Sequence, residues 1–157
     1  LFHEKKYLEQ QVYVFEEQIK LALENNLPIV IHSRDSFDEI YEVLKKFKSD
    51  NLRGIFHCFT GDKQQAKKII DLNFHIGIGG VVTFKNGKIS EFLNSIPIER
   101  IVLETDSPYL APSPYRGKRN ESSYLKIIAE KIADLYNLEL SEVSKITQKN
   151  SLDIFGN

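Results

Sequence analysis

An alternation limits the fold of this chain more than any single residue. Four short runs of β-branched and aliphatic residues, beginning near Ile29, Gly54, Phe74 and Ile101, are separated by stretches with apolar residues at helical spacing. A short apolar run bounded by turn residues reads as a buried strand, and a stripe recurring every three or four residues reads as one helical face. Strands alternating with helices form a parallel sheet in which each crossover is right-handed. The order read from the sequence is a helix, then strand and helix in alternation, with one extra helix at the end. It fits an open parallel sheet or half of an eight-stranded barrel, and the length of 157 residues favours the open sheet. Both architectures bind ligands beyond the carboxyl ends of their strands.

Local signals place the elements. The first helix is predicted over 7–26, with Leu8, Val12, Phe15, Ile19 and Leu23 on one face and Asn25-Asn26 as its stop. Ser36 and Glu39 carry the spacing of a capping box. The helix they open turns Phe37, Ile40, Tyr41, Leu44 and Phe47 to one side. Asp62 is the expected cap of a helix with Ala66, Ile69 and Ile70 inside, and Ile89, Phe92, Leu93 and Ile96 form another helical stripe. A polar loop over 107–122 follows the fourth strand. Two helices finish the chain: one over 122–137 with Leu125, Ile128, Ile132 and Leu135 inward, and one over 141–154 capped by Ser141. Gly77, Gly79 and Gly80 do not make a dinucleotide fingerprint, because no third glycine stands at the right offset.

The candidate chemistry sits where strands end. PIVIHSRD delivers His32, RGIFHCFTG delivers His57, and IVLETDSPYL breaks from aliphatic residues into Glu104 and Asp106. Polar groups at the tips of buried strands face a ligand, a metal or solvent. One such histidine is an ordinary hydrogen-bonded residue, but the repetition on three strands points to a shared rim. Imidazole and carboxylate together suit zinc, manganese, iron or nickel. Three such ligands with an open position activate a water. Glu104 and Asp106 are two apart, so one binds metal while the other orients a ligand or a neighbouring histidine. Cys58 reads as a small buried residue facing away from His57, and His3 and His75 read as structural.

Arg34, Lys85, Lys88, Arg116, Lys118 and Arg119 fall beside the same strand ends. Cations around a metal suit an anionic substrate, most naturally a phosphodiester, and Tyr109 and Tyr115 suit stacking on bases. A net charge of −1 excludes bulk electrostatic capture of nucleic acid without excluding such a local patch. No apolar run approaches the ~18 residues of a membrane span. Cys58 is the only cysteine, so no disulfide forms within the chain, and a reducing, cytoplasmic setting is expected. The chain opens on Leu1 and has no methionine, as expected of a piece lacking its natural start.

HSRD at 32–35, HCFTG at 57–61, ETDSPYL at 104–110 and RGKRNE at 116–121 together resemble the TatD family of metal-dependent deoxyribonucleases. The resemblance implies a (β/α)8 barrel of the amidohydrolase type, with one or two divalent ions (Mg, Zn or Mn). It implies DNA as substrate, cut at phosphodiester bonds from the 3′ end by a metal-activated water. By the same resemblance His32, His57 and Asp106 are metal ligands, and Asp106 is also the general base. Arg34, Tyr109, Arg116, Lys118 and Arg119 are the expected substrate contacts. The family's H-x-H pair and its bridging glutamate have no counterpart here, since Glu4 lies in a polar lead-in. The expectation is therefore a single domain over 1–157, the C-terminal half (strands five to eight) of the barrel. Such a half is inactive alone and prone to self-association, whereas the full-length protein is a monomer. The alternatives are an ester or amide hydrolase on the same scaffold, or a non-catalytic half-barrel fragment.

Overall fold

The computed structural model describes residues 6–49 and 51–156, so His3 and Glu4 lie outside the described residues. Helix α1 (Leu8–Glu24) leads into strand β1 (Ile29–His32), and α2 (Phe37–Lys46) into β2 (Gly54–His57). Helix α3 (Lys63–Asp71) precedes β3 (His75–Ile78), and a series of 3-10 turns precedes β4 (Ile101–Leu103). Helices α4 (Leu125–Tyr136) and α5 (Leu140–Phe155) complete the chain.

The strands form one parallel sheet in the order β1-β2-β3-β4, with His32 opposite His57 and Ile78 opposite Leu103. Sequential order means that every crossover steps the same way. A doubly wound sheet instead reverses direction at a switch point. Here the four strands leave an open edge at β1 and at β4, and no such reversal occurs among the described residues. The sheet is singly wound, as the wall of a barrel is.

Side chains alternate across the strands, and the two faces differ accordingly. Ile31, Phe56, Ile76, Ile78 and Ile101 point into the main core, where they meet Leu44, Ile69, Ile128 and Ile132 from the helices. Phe56 and Phe74 meet edge to face with ring centroids 5.8 Å apart. Ile55 and Val102 lie on the opposite face and are covered by Ile154 of α5. On that same face the register places His32, His57 and Gly77, with Glu104 just beyond the end of β4. The helical face holds most of the core, and beyond the Ile154 cover the carboxyl ends of the strands on the other face carry these polar groups.

Capping follows the sequence at α3, where the Asp62 carboxylate accepts from the N–H groups of Gln64 and Gln65, both at 2.8 Å. It does not at α2, where Ser36 makes no side-chain capping bond. Helix α5 begins at Leu140 rather than after Ser141, with Glu139 at its cap and the Glu139 N–H reaching Glu142 Oε2. Leu125 is exposed, while Ile128 and Ile132 are fully buried.

The stripe from Ile89 to Ile96 is not an α-helix. It folds as the 3-10 turns Lys88–Glu91 and Leu93–Ser95, with Ile89, Leu93 and Ile96 still buried. Competing hydrogen bonds explain the difference. Ser90 Oγ donates to the Gly87 carbonyl and Ser95 Oγ to the Phe92 carbonyl, while the Tyr136 hydroxyl lies 2.5 Å from the Leu93 oxygen and 2.7 Å from that of Ile96. Carbonyls engaged this way no longer need a helical i→i+4 partner, and Pro97 has no N–H to offer. Burial pushes the Tyr136 hydroxyl well above its ordinary pKa. Among the described residues no helix is long and apolar enough to cross a membrane.

His75 opens β3 at the amino-terminal rim, beside a recess of about 740 Å³ lined in part by Arg53, Arg100, Lys145 and Asp153. Its Nδ1 is buried without a hydrogen-bond partner. Burial and then the Arg100 charge push its pKa below the usual 6.5, against the pull of the Glu99 carbonyl and Asp153. A histidine depressed in the folded state binds its proton more readily when unfolded. The fold therefore loses stability as pH falls through about 6.5, fully so once pH is below the folded pKa. His75→Phe is expected to narrow the drop in melting temperature between pH 7 and pH 5. An unchanged drop would show that acid acts elsewhere.

Candidate functional site

Parallel strands bring their carboxyl ends to one rim, so His32 at the end of β1 and His57 at the end of β2 are neighbours by register. Their ring centroids lie 5.7 Å apart. Two strands away, the chain leaves β4 through Glu104 and Thr105 into Asp106, whose φ of +56° ends any extended run. That turn swings Asp106 back, so that its Oδ1 lies 3.4 Å from His57 Nε2. The three residues predicted to share a rim do so.

Glu104 is the residue on which His57 is built. Its Oε1 and Oε2 lie 3.0 and 3.1 Å from His57 Nδ1, and Oε1 also accepts the Cys58 N–H at 2.8 Å. Burial raises the Glu104 pKa above the ordinary carboxylate value, opposed by His57 and by the Cys58 N–H. Gly77 makes room for this carboxylate. A Cβ on Gly77 would stand 2.3 Å from Glu104 Oε2 and 3.3 Å from the His57 Cα. The space beside β3 is therefore filled by a carboxylate arriving from β4. Cys58 follows His57 in the left-handed region, at φ +47°, which strand alternation did not anticipate. Its thiol is only partly buried, and burial followed by the Glu104 and Asp106 charges pushes it up to about 11.

A carboxylate can only accept, so Nδ1 of His57 carries a hydrogen, and in the neutral ring Nε2 offers a lone pair. That lone pair faces the Asp106 carboxylate. Two acceptors aimed at each other call for a cation between them, either a proton or a metal ion. The donor set of nitrogen and oxygen, with the far nitrogen tied to a carboxylate, is the one that divalent transition metals take. The residues therefore fit a metal in the chemistry of their donor atoms. Among the described residues, no three or more His, Cys, Asp and Glu side chains already close into a cage that could hold an ion.

The basic residues surround this rim unevenly. Arg34 and His32 line one recess, of about 590 Å³, between α1 and α2. Arg116 lies over Phe84, its Cζ 3.6 Å from the ring centroid, and Lys118 Nζ stands 5.7 Å from the Tyr115 ring centroid. Tyr115 itself stacks on Tyr124 at 4.5 Å, so the protein already occupies a face expected to receive a base. Tyr109 is 71% exposed, and Arg119 is exposed as well. Phe84 and the buried Asn120 were not singled out from the sequence. Neither sits at a strand end, and Asn120 is hidden inside a charged run.

A comparison with known families decides the lineage: residues 1–156 match the model described as TatD related DNase. The chain belongs to the TatD family. The expected restriction to a C-terminal portion of the TatD pattern is not borne out by this match, and nothing in the order of four strands numbers them five to eight. Among TatD relatives, the uncharacterized metal-dependent hydrolase YabD of Bacillus subtilis is 45% identical over 92% of this chain and 57% of its own. The uncharacterized metal-dependent hydrolase YcfH of Escherichia coli is 35% identical over 97% and 57% respectively. The crystal structure of YjjV, a TatD homologue from Escherichia coli, superposes with a TM-score of 0.92 at 26% identity, over 100% of this chain and 61% of that one. The chain thus spans a little over half the length of these TatD proteins.

Proposed function

We propose that this chain carries the catalytic rim of a metal-dependent hydrolase that cleaves phosphodiester bonds in DNA. The observation that carries the reading is His57 held between Glu104 at Nδ1 and Asp106 at Nε2. Membership of TatD and the metal-dependent hydrolase names of YabD and YcfH support it.

His32, His57 and Asp106 are the residues that would hold the ion. A divalent cation bound there supplies Lewis acidity towards a phosphoryl oxygen and an attacking water. The protein's own groups do the rest. Glu104 keeps the His57 proton on Nδ1, so Nε2 stays a donor of electrons. Asp106 takes the proton of the attacking water, since it is the more solvent-open of the two carboxylates facing His57. Arg34, Arg116, Lys118 and Arg119 hold the flanking phosphates, and exposed Tyr109 stacks on a terminal base. The cleavage proposed is exonucleolytic, from the 3′ end. The four strands, singly wound, serve as part of a barrel wall in that protein.

Incubating labelled single-stranded DNA with Mn2+ tests this, using the chain and a form extended to the length of its relatives. The expected result is metal-dependent shortening from the 3′ end by the extended form. An extended form that binds metal but cleaves only ester or amide substrates would transfer the site to the rival hydrolase reading.

A further inference from the structure

Asp106 does not lie on a strand. It sits in a turn, in the left-handed region, between Thr105 and the exposed Ser107 and Pro108. Aspartate enters that region more readily than most residues, and here a group from elsewhere in the chain holds the turn around it. The group that does so comes from 14 positions further along. Asn120 is 2% exposed, although it follows directly on exposed Arg116, Lys118 and Arg119. Its Nδ2 donates to the Thr105 carbonyl and to the Tyr109 carbonyl, both at 2.6 Å. Its backbone N–H donates to the Pro108 carbonyl at 3.0 Å, and its Oδ1 accepts the Glu121 N–H at 2.9 Å. Every hydrogen-bonding group of this side chain is therefore spent on backbone, and two of the bonds bracket Asp106.

The same clasp ties two parts of the site together. The loop from Ala111 to Arg119 is anchored at its start by the Ser113 N–H on Thr83 Oγ1, at 2.8 Å, and at its end by Asn120. The basic residues expected to hold phosphates thus hang from the turn that carries the carboxylate.

We propose that Asn120 is a positioning residue that fixes the Asp106 carboxylate against His57 and couples it to the basic loop. The inference rests on the metal-site reading for its consequence but not for its geometry. Asparagine is required because both amide hydrogens point at carbonyls. Asn120→Asp keeps the shape and places a carboxylate against two carbonyl oxygens, so the turn must open.

Two readouts on the 157-residue chain separate the clasp from the metal site. Amide hydrogen exchange at Tyr109, whose N–H donates to the Asp106 carbonyl, is expected to accelerate about tenfold or more in Asn120→Asp, while Val102 and Leu103 in β4 keep their protection. Mn2+ affinity by calorimetry is expected to fall about 10–100-fold, as for other residues that orient a ligand. The double variant with Asp106→Asn should lose no more than Asp106→Asn alone. Asn120→Ser, which buries no charge, serves if Asn120→Asp does not fold. Unchanged exchange at Tyr109 would overturn the clasp. Faster exchange with Mn2+ affinity intact would overturn its coupling to the site. If the wild-type chain binds no Mn2+, the metal reading fails while the exchange result still decides the clasp.

Discussion

Asp106→Asn is expected to cut hydrolysis of DNA by about a thousandfold in a form of the protein active on DNA, the size of effect seen when a general base is lost. The substitution is nearly isosteric, and asparagine tolerates the left-handed φ that Asp106 adopts, so the turn and its Asn120 bonds survive. What disappears is the charge facing His57 Nε2, and with it the proposed proton acceptor. Binding of DNA should change by no more than about twofold, because the phosphate contacts proposed for it are cations elsewhere on the rim. Single-turnover rates beside filter-binding or anisotropy titrations separate the two effects. Near-normal turnover would remove Asp106 from the chemistry.

Glu104→Gln should be almost as severe, and for a less obvious reason. Glu104 accepts two hydrogens, one from His57 Nδ1 and one from the Cys58 N–H. A glutamine has only one acceptor oxygen, and its amide group would meet one of those two donors head on. The least costly relief moves the His57 proton from Nδ1 to Nε2, so that Nδ1 accepts from the amide. That tautomer blocks the nitrogen facing Asp106. Metal affinity should fall about 10–100-fold, and the ring nitrogen shifts of His57 should report the exchanged tautomer. Gly77 offers no alternative position for the side chain, since it already lies in contact with the Glu104 carboxylate. Retention of the wild-type tautomer would show that Glu104 does not set the state of His57.

The rim was legible in the sequence because each of its parts is a local event: an apolar run that stops at His32, at His57, or at Glu104 and Asp106. Parallel pairing then converts three local events into one site without further information. The pairing of Glu104 with a histidine was within reach for the same reason, but which histidine it meets depends on register. What the sequence concealed depends on contacts across the chain. Ser90, Ser95 and Tyr136 divert the carbonyls of the Ile89–Ile96 stripe, so a helical spacing folds as 3-10 turns. Tyr115 is an exposed-looking aromatic until Tyr124 is found against it. Asn120 reads as one more polar residue in a basic loop, and only the return of that loop to the Asp106 turn gives it a purpose. Winding direction was also hidden, since alternation alone does not distinguish a sequential sheet from one that reverses.

The most direct test of the rim as a metal centre is to add Mn2+ below one equivalent and follow the imidazole signals by NMR. The rings of His32 and His57 are expected to broaden first. His75, at the opposite end of the sheet, should persist as an internal reference. Broadening of His75 to the same extent, or no selective effect on His32 and His57, would contradict the placement of the metal at this rim.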